Sequence, residues 1–157
     1  MARRATVPPA TAPGSAGALI ALFTSIADRW QLTTGERCRL LGEIGRTTLW
    51  DWTRGHAPRA LSFDTRERIA HCVGIDVALA RFYGAGSPLA VSHLRRPRTA
   101  PDGAHAAIDV MLGGLPGLAA VRRQVEALGG GALVATLPAS GRAYELARPF
   151  PDAPRPA

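Results

Sequence analysis

No stretch of about 18 apolar residues occurs in the 157-residue sequence, which excludes a membrane-spanning helix. Cysteine is scarce: Cys38 and Cys72 are the only two and supply no disulfide framework. The four histidines, His56, His71, His93 and His105, show no metal-ligand spacing with one another or with the cysteines. No metal and no other cofactor is therefore expected. Lysine is absent, so all 19 positive side chains are arginine, and against 12 acids they leave a formal charge of +7. Aromatic residues make up only 6%, which limits the core, yet 46% hydrophobic and 20% charged residues suit a globular chain and not a disordered one. The length fits one ordinary domain or two small ones.

Marks of enzyme chemistry are missing as well. Ser140-Gly141 lacks the pattern of a nucleophile elbow, and Asp102 and Asp109 make no convincing acid–base pair. Gly113-Gly114 and Gly129-Gly130-Gly131 do not follow a strand and open a helix, so they read as helix stops and not as phosphate cradles. The chain is expected not to be an enzyme. Arg3 and Arg4 are followed by Pro8, Pro9, Pro13 and Gly14 where a secretion signal needs an apolar core, so the cytoplasm is the expected compartment.

What is present divides the chain into four parts. Residues 1–17, small and polar with two arginines, read as a flexible arm, and residues 131–157 as a proline-containing tail in which Ala132-Leu133-Val134-Ala135 forms a strand or a docking segment. Between them Gly84-Ala85-Gly86-Ser87-Pro88 separates residues 18–84 from residues 85–130. The fold class expected is all-α: five short helices in the first part, then a smaller helical segment.

In the first part Leu19, Leu22, Phe23, Ile26 and Trp30 recur on one helical face. Thr33 and Glu36 have capping-box spacing ahead of a helix carrying Cys38, Leu40 and Leu41 and ending at Gly42. Three residues later a further helix spans Gly45 to Arg54, with Ile44, Leu49 and Trp52 inward. A helix from Asp64 stops at Gly74, and a fifth, capped by Asp76, carries Leu79, Phe82 and Tyr83. In the second part short helices are expected at Leu89–Arg95 and Ala106–Leu112. A last helix follows Pro116, with Leu118, Val121, Val125 and Leu128 as its apolar stripe, to pack on the first bundle or on another chain.

Two helices joined by a short glycine-containing turn form the helix-turn-helix pattern, whose second helix enters the major groove of DNA. Arg46, Thr47 and Thr48 stand at its first positions, where arginine reads guanine and threonine reaches bases or phosphates. Trp50 is placed to pack on the sugar-phosphate backbone, and Arg54 and Arg59 to pair with phosphates; Asp51 opposes them. The alternative is a helix pair that serves only as a scaffold. Residues 18–84 hold 9 arginines against 7 acids, and residues 85–130 hold 5 against 3, so no segment is strongly basic. Binding to DNA would then require a homodimer on two half-sites. Arg95, Arg96 and Arg98, and likewise Arg122 and Arg123, are either solvated or anchors for an acidic or phosphate-bearing partner.

The run Leu22-Phe23, Trp30, Leu32-Thr33, Leu40-Leu41-Gly42, Ile44 to Trp52, Gly55 and Leu61-Ser62 resembles an Xre-like helix-turn-helix domain. The later run Leu94-Arg95-Arg96-Pro97, Gly103, Ala107 to Gly114, Leu118, Val121-Arg122-Arg123 and Leu128-Gly129-Gly130 is similar to the toxin-binding segment of the MbcA/ParS/Xre antitoxins. The resemblance implies the antitoxin of a bacterial type II toxin–antitoxin system. Such a protein covers the active-site cleft of a RES-domain toxin that consumes NAD, and often represses its own operon. It implies Arg46, Thr47, Thr48 and Trp50 as DNA-facing, beside Arg54 from the residue reading above, and Met111, Leu112, Leu118, Val121, Arg122, Arg123 and Val125 as toxin-binding. The sequence departs from the family's pattern at His93, where an aromatic is usual, at Arg98, and at Asp102-Gly103-Ala104. The competing expectation is a stand-alone transcriptional regulator whose residues 85–130 dimerise or sense.

Overall fold

A computed structural model of the protein describes residues 15–100 and 103–135. Among them the chain is mostly helical: α1 (Ala16–Arg29), α2 (Thr34–Leu40), α3 (Arg46–Thr53), α4 (Phe63–Tyr83), α5 (Pro88–Arg95), the short strands β1 (Arg98–Ala100) and β2 (Gly103–His105), α6 (Ala107–Leu112) and α7 (Leu115–Ala135). Residues 1–14 and 136–157, most of the expected arm and tail, and Asp102 lie outside the described residues. The remainder of both ends is helical: Ser15 caps α1 through Oγ and the Ala18 amide, and 132–135 continue α7 instead of forming a strand.

Local chemistry explains most helix starts. Thr33 accepts from the Glu36 amide, and the Glu36 carboxylate accepts from the Thr33 amide at 2.8 Å, which satisfies two otherwise orphaned donors of α2. Ser62 and Ser87 cap α4 and α5, and Pro88 occupies the first turn of α5, where its missing amide costs nothing.

Three expectations need correction. First, the bundle of residues 18–84 has four helices, not five: α4 runs through Gly74 without a break. Gly74 marks a crossing and not an end, because a Cβ there would lie 2.5 Å from Nε of Arg122 on α7. Asp76 caps nothing; it accepts from Arg29 Nη2 at 2.7 Å and from the Trp30 indole at 3.1 Å, which ties α4 to α1. Second, α7 continues through Gly129–Gly131 to Ala135. Third, an antiparallel hairpin, absent from the sequence reading, pairs Arg98 with His105 and Ala100 with Gly103.

The two segments separated at residues 84–88 share one hydrophobic core. It holds Ile20, Phe23, Ile26 and Trp30 of α1, Leu40, Leu49, Ile69, Cys72, Ile75 and Leu79 from the first segment, and Leu94, Met111, Leu118, Val121 and Val125 from the second. The α1 stripe is centred on Ile20 and Phe23, leaving Leu22 exposed. α4 packs most extensively against α7 and also contacts α1 and α5. A fully buried Leu or Val contributes about 1.5–3 kcal/mol, so α7 is a major source of stability. Gly117 allows α7 to meet α6: a Cβ there would fall 1.8 Å from the Val110 carbonyl oxygen. No helix among the described residues is long and apolar enough to cross a membrane.

Candidate nucleic-acid and partner interface

α2 packs on α3 across a tight turn. The turn closes because Gly42 and Glu43 both adopt positive φ, 101° and 59°, and the Ile44 amide donates back to the Cys38 carbonyl at 3.1 Å. A left-handed φ suits glycine but strains Glu43. Thr65 Oγ1, in the first turn of α4, donates to the Leu41 carbonyl at 3.3 Å and braces the turn from behind.

The turn delivers α3 to the surface, and Leu49 alone of its residues is buried. Arg46, Thr47, Asp51 and Arg54 are exposed, Thr48 and Trp52 are half-buried, and Trp50 is 60% exposed. The Arg54 guanidinium lies over the Trp50 ring, 5.0 Å from its centre, so the two form one cationic, flat-faced platform. Of the residues expected to face DNA, Arg46, Thr47, Trp50 and Arg54 are thus on the outward side of α3, and Thr48 is partly covered. Beside it a cleft of about 370 Å³ is lined by Leu32, Thr33, Thr34, Arg37, Arg46, Leu49, Trp50 and Thr53. Arg59 is also exposed, in the segment between α3 and α4.

The residues expected to bind a toxin are placed differently. Met111, Leu118, Val121 and Val125 are buried in the chain's own core and are not available to a partner in this conformation. Leu112 is half-buried. Arg122 is half-buried, pairs with Glu126 at 2.8 Å and lies across Gly74. Arg123 of α7 is exposed, as is Val110 of α6.

Polar contacts that the sequence reading missed fasten this segment to α2. Arg95, read as solvated or as a partner anchor, grips Glu36 and also donates to the Gln31 carbonyl at 2.8 Å. The Arg95 guanidinium holds the Glu36 carboxyl below its usual range, against the upward push of burial. Arg39 donates to the Leu112 carbonyl at 3.3 Å. His93, standing where an aromatic was expected, is buried edge-on to Tyr83, with Nδ1 2.8 Å from the Tyr83 hydroxyl and 2.7 Å from Arg98 Nη2. Burial and the positive charge of Arg98 lower its pKa to about 4, which keeps the ring neutral and able to accept from Arg98. Burial pushes the Cys72 thiol up to about 12, leaving it a small hydrophobe. Phe63, 78% exposed at the start of α4, is a surface aromatic that periodicity did not single out.

No protein-family model matches the chain. It is similar to a curated protein of Sinorhizobium fredii, "Uncharacterized protein y4oB", with 36% identity over 109 residues that cover 69% of this chain and 82% of that protein. The chain belongs to the same family as y4oB.

Proposed function

We propose that the chain is the antitoxin of a bacterial type II toxin–antitoxin pair, which holds operator DNA through α3 and a RES-domain toxin through the outer surface of α5–α7. The observation that carries the nucleic-acid half is the outward presentation of Arg46, Thr47, Trp50 and Arg54 on a short helix set by a tight turn against α2. That arrangement supports reading α2 and α3 as a helix-turn-helix, with α3 in the role of recognition helix. α3 with its C-cap offers only two cations, Arg46 and Arg54, so operator binding calls for a homodimer on two half-sites.

The antitoxin half rests on the resemblance of residues 94–130 together with their placement. These residues form a layer fastened to the first bundle by Arg95, Arg39 and α7, leaving an outer rim for a partner. With Met111, Leu118, Val121 and Val125 committed to the core and Arg122 to Glu126 and the Gly74 crossing, the toxin-facing residues reduce to Leu112, Arg123 and the added Val110. Inhibition by coverage needs no catalytic group, only apolar anchors and a few register-setting charges.

The test is co-expression with a RES-domain toxin encoded beside the gene. The wild-type chain is expected to rescue growth and to copurify with the toxin, and Val110→Glu with Arg123→Glu to lose both while keeping its melting temperature. Removing residues 85–135 would be a poor substitute, because it strips α7 from α4 and exposes the core side chains that α7 covers.

The second reading, a stand-alone regulator, is favoured by the burial of those same four apolar residues, which act as core whether or not a toxin exists. Operator footprinting without growth rescue would select it.

A further inference from the structure

The exposed sides of α3 are not equivalent. Arg46, Leu49, Trp50 and Thr53 fall on one helical face and line the cleft against the start of α2, while Thr47, Asp51 and Arg54 fall on another. The cleft is lined by the buried Leu32 and Leu49, by the exposed Trp50, and by Thr33, Thr34 and Thr53, the last of which donates its hydroxyl to the Trp50 carbonyl at 2.9 Å. No acid lines it. Of its two arginines, Arg37 is committed: it pairs with Asp28 at 2.7 Å and donates to the Leu32 carbonyl at 3.0 Å. Arg46 makes no ion pair among the described residues. The cleft therefore joins one uncompensated cation to hydroxyl donors and an apolar, flat wall.

That combination fits a sugar-phosphate chain better than a base edge. A phosphodiester brings one negative charge and acceptor oxygens for Arg46 and the Thr33 and Thr34 hydroxyls, and its deoxyribose brings an apolar face for Trp50 and Leu49. We infer that the cleft between α2 and α3 seats the backbone of one strand of duplex DNA. Arg46 holds a phosphate there, and sequence preference is left to the Thr47 side of the helix. Arg46 then supplies affinity without specificity, contrary to its expected role as a guanine reader. This inference rests on the nucleic-acid reading above.

The test uses the full chain and a duplex enriched from a random pool by the wild type, alongside a scrambled duplex, with affinity measured by anisotropy between 50 and 200 mM salt, a range over which phosphate contacts dominate the response (about tenfold or more for several contacts). Arg46→Ala, with an unchanged melting temperature, is expected to weaken both duplexes by a similar factor, roughly tenfold. The slope of log affinity against log salt should fall by about 1. Replacing backbone phosphates one at a time by neutral methylphosphonate should reveal one position at which Arg46→Ala has no further effect. Loss of preference at a single base pair, with scrambled-duplex affinity and slope unchanged, would make Arg46 a base reader and overturn the inference. So would full additivity at every methylphosphonate, or no effect of the substitution at all. If the wild type binds no duplex of either kind, the nucleic-acid reading itself falls, an outcome distinct from the others.

Discussion

Arg95 and Glu36, 59 residues apart in sequence, form a two-pronged ion pair, Nη1 to Oε1 at 2.6 Å and Nη2 to Oε2 at 2.9 Å. The same carboxylate closes the capping box of α2, and the same guanidinium holds the carbonyl of Gln31, whose φ of 55° is strained for a non-glycine residue. One contact thereby sets the α1–α2 turn, the start of α2 and the end of α5. The cleft beside α3 begins at Leu32 and Thr33, so the second segment supports the surface proposed to hold DNA.

Arg95→Ala is expected to cost about 1–2 kcal/mol, as for a partly exposed charge-assisted pair. The Glu36 carboxyl has a lowered pKa in the folded protein, so the stability it contributes is present above its ordinary value of 4.5 and is lost as pH falls through the lower, folded value. Thermal melts across acid pH check this: Arg95→Ala should remove that part of the acid sensitivity. Equal acid sensitivity in the two proteins would contradict it.

His93 gives a second pH window. Its pKa falls from 6.5 to about 4 on folding, so the unfolded chain binds the additional proton between those values, and stability declines as pH drops through that interval. His93→Phe, which keeps an aromatic against Tyr83, should flatten the melting temperature between pH 6.5 and 4 relative to wild type. A ring that titrates near its ordinary value by nuclear magnetic resonance would refute the buried neutral state.

Two glycines should respond to very different degrees. Gly117→Ala drives a methyl into the Val110 carbonyl, a backbone atom, and is expected to destabilise by about 3 kcal/mol or more. Gly74→Ala meets only the movable end of Arg122 and gains about 0.5–1 kcal/mol of helix preference, so its net effect should be small. Chemical denaturation of both variants measures the contrast.

Leu118→Ala should cost about 2–5 kcal/mol, as for a fully buried leucine. Trp50→Ala and Arg54→Ala should each change stability by less than about 0.5 kcal/mol while weakening duplex binding. A stability loss at Trp50 equal to that at Leu118 would show that the α3 platform is structural.

Much of the helical plan was legible because it is written in local chemistry. The Thr33–Glu36 pair, Gly42 and Pro88 mark boundaries through hydrogen bonds or backbone angles that neighbouring residues decide. Gly74 misled because a glycine inside a helix and a glycine at its end look alike in sequence; the difference is Arg122, 48 residues away, lying across it. The hairpin escaped notice because Arg98–Ala100 and Gly103–His105 have no alternating apolar pattern. The outward residues of α3 were readable, since one buried position, Leu49, fixes the phase of so short a helix. The partner surface was not. An apolar stripe such as Leu118, Val121 and Val125 states that something covers it, and only the fold shows that α4, in the same chain, does so.

The most direct measurement of the central claim is titration of the purified full chain into the RES-domain toxin proposed as its partner, following complex formation and NAD consumption together. The account predicts a stable complex in which NAD consumption stops, and loss of both effects with Val110→Glu and Arg123→Glu at unchanged melting temperature. A toxin that binds nothing and consumes NAD at its full rate in the presence of excess chain would contradict it.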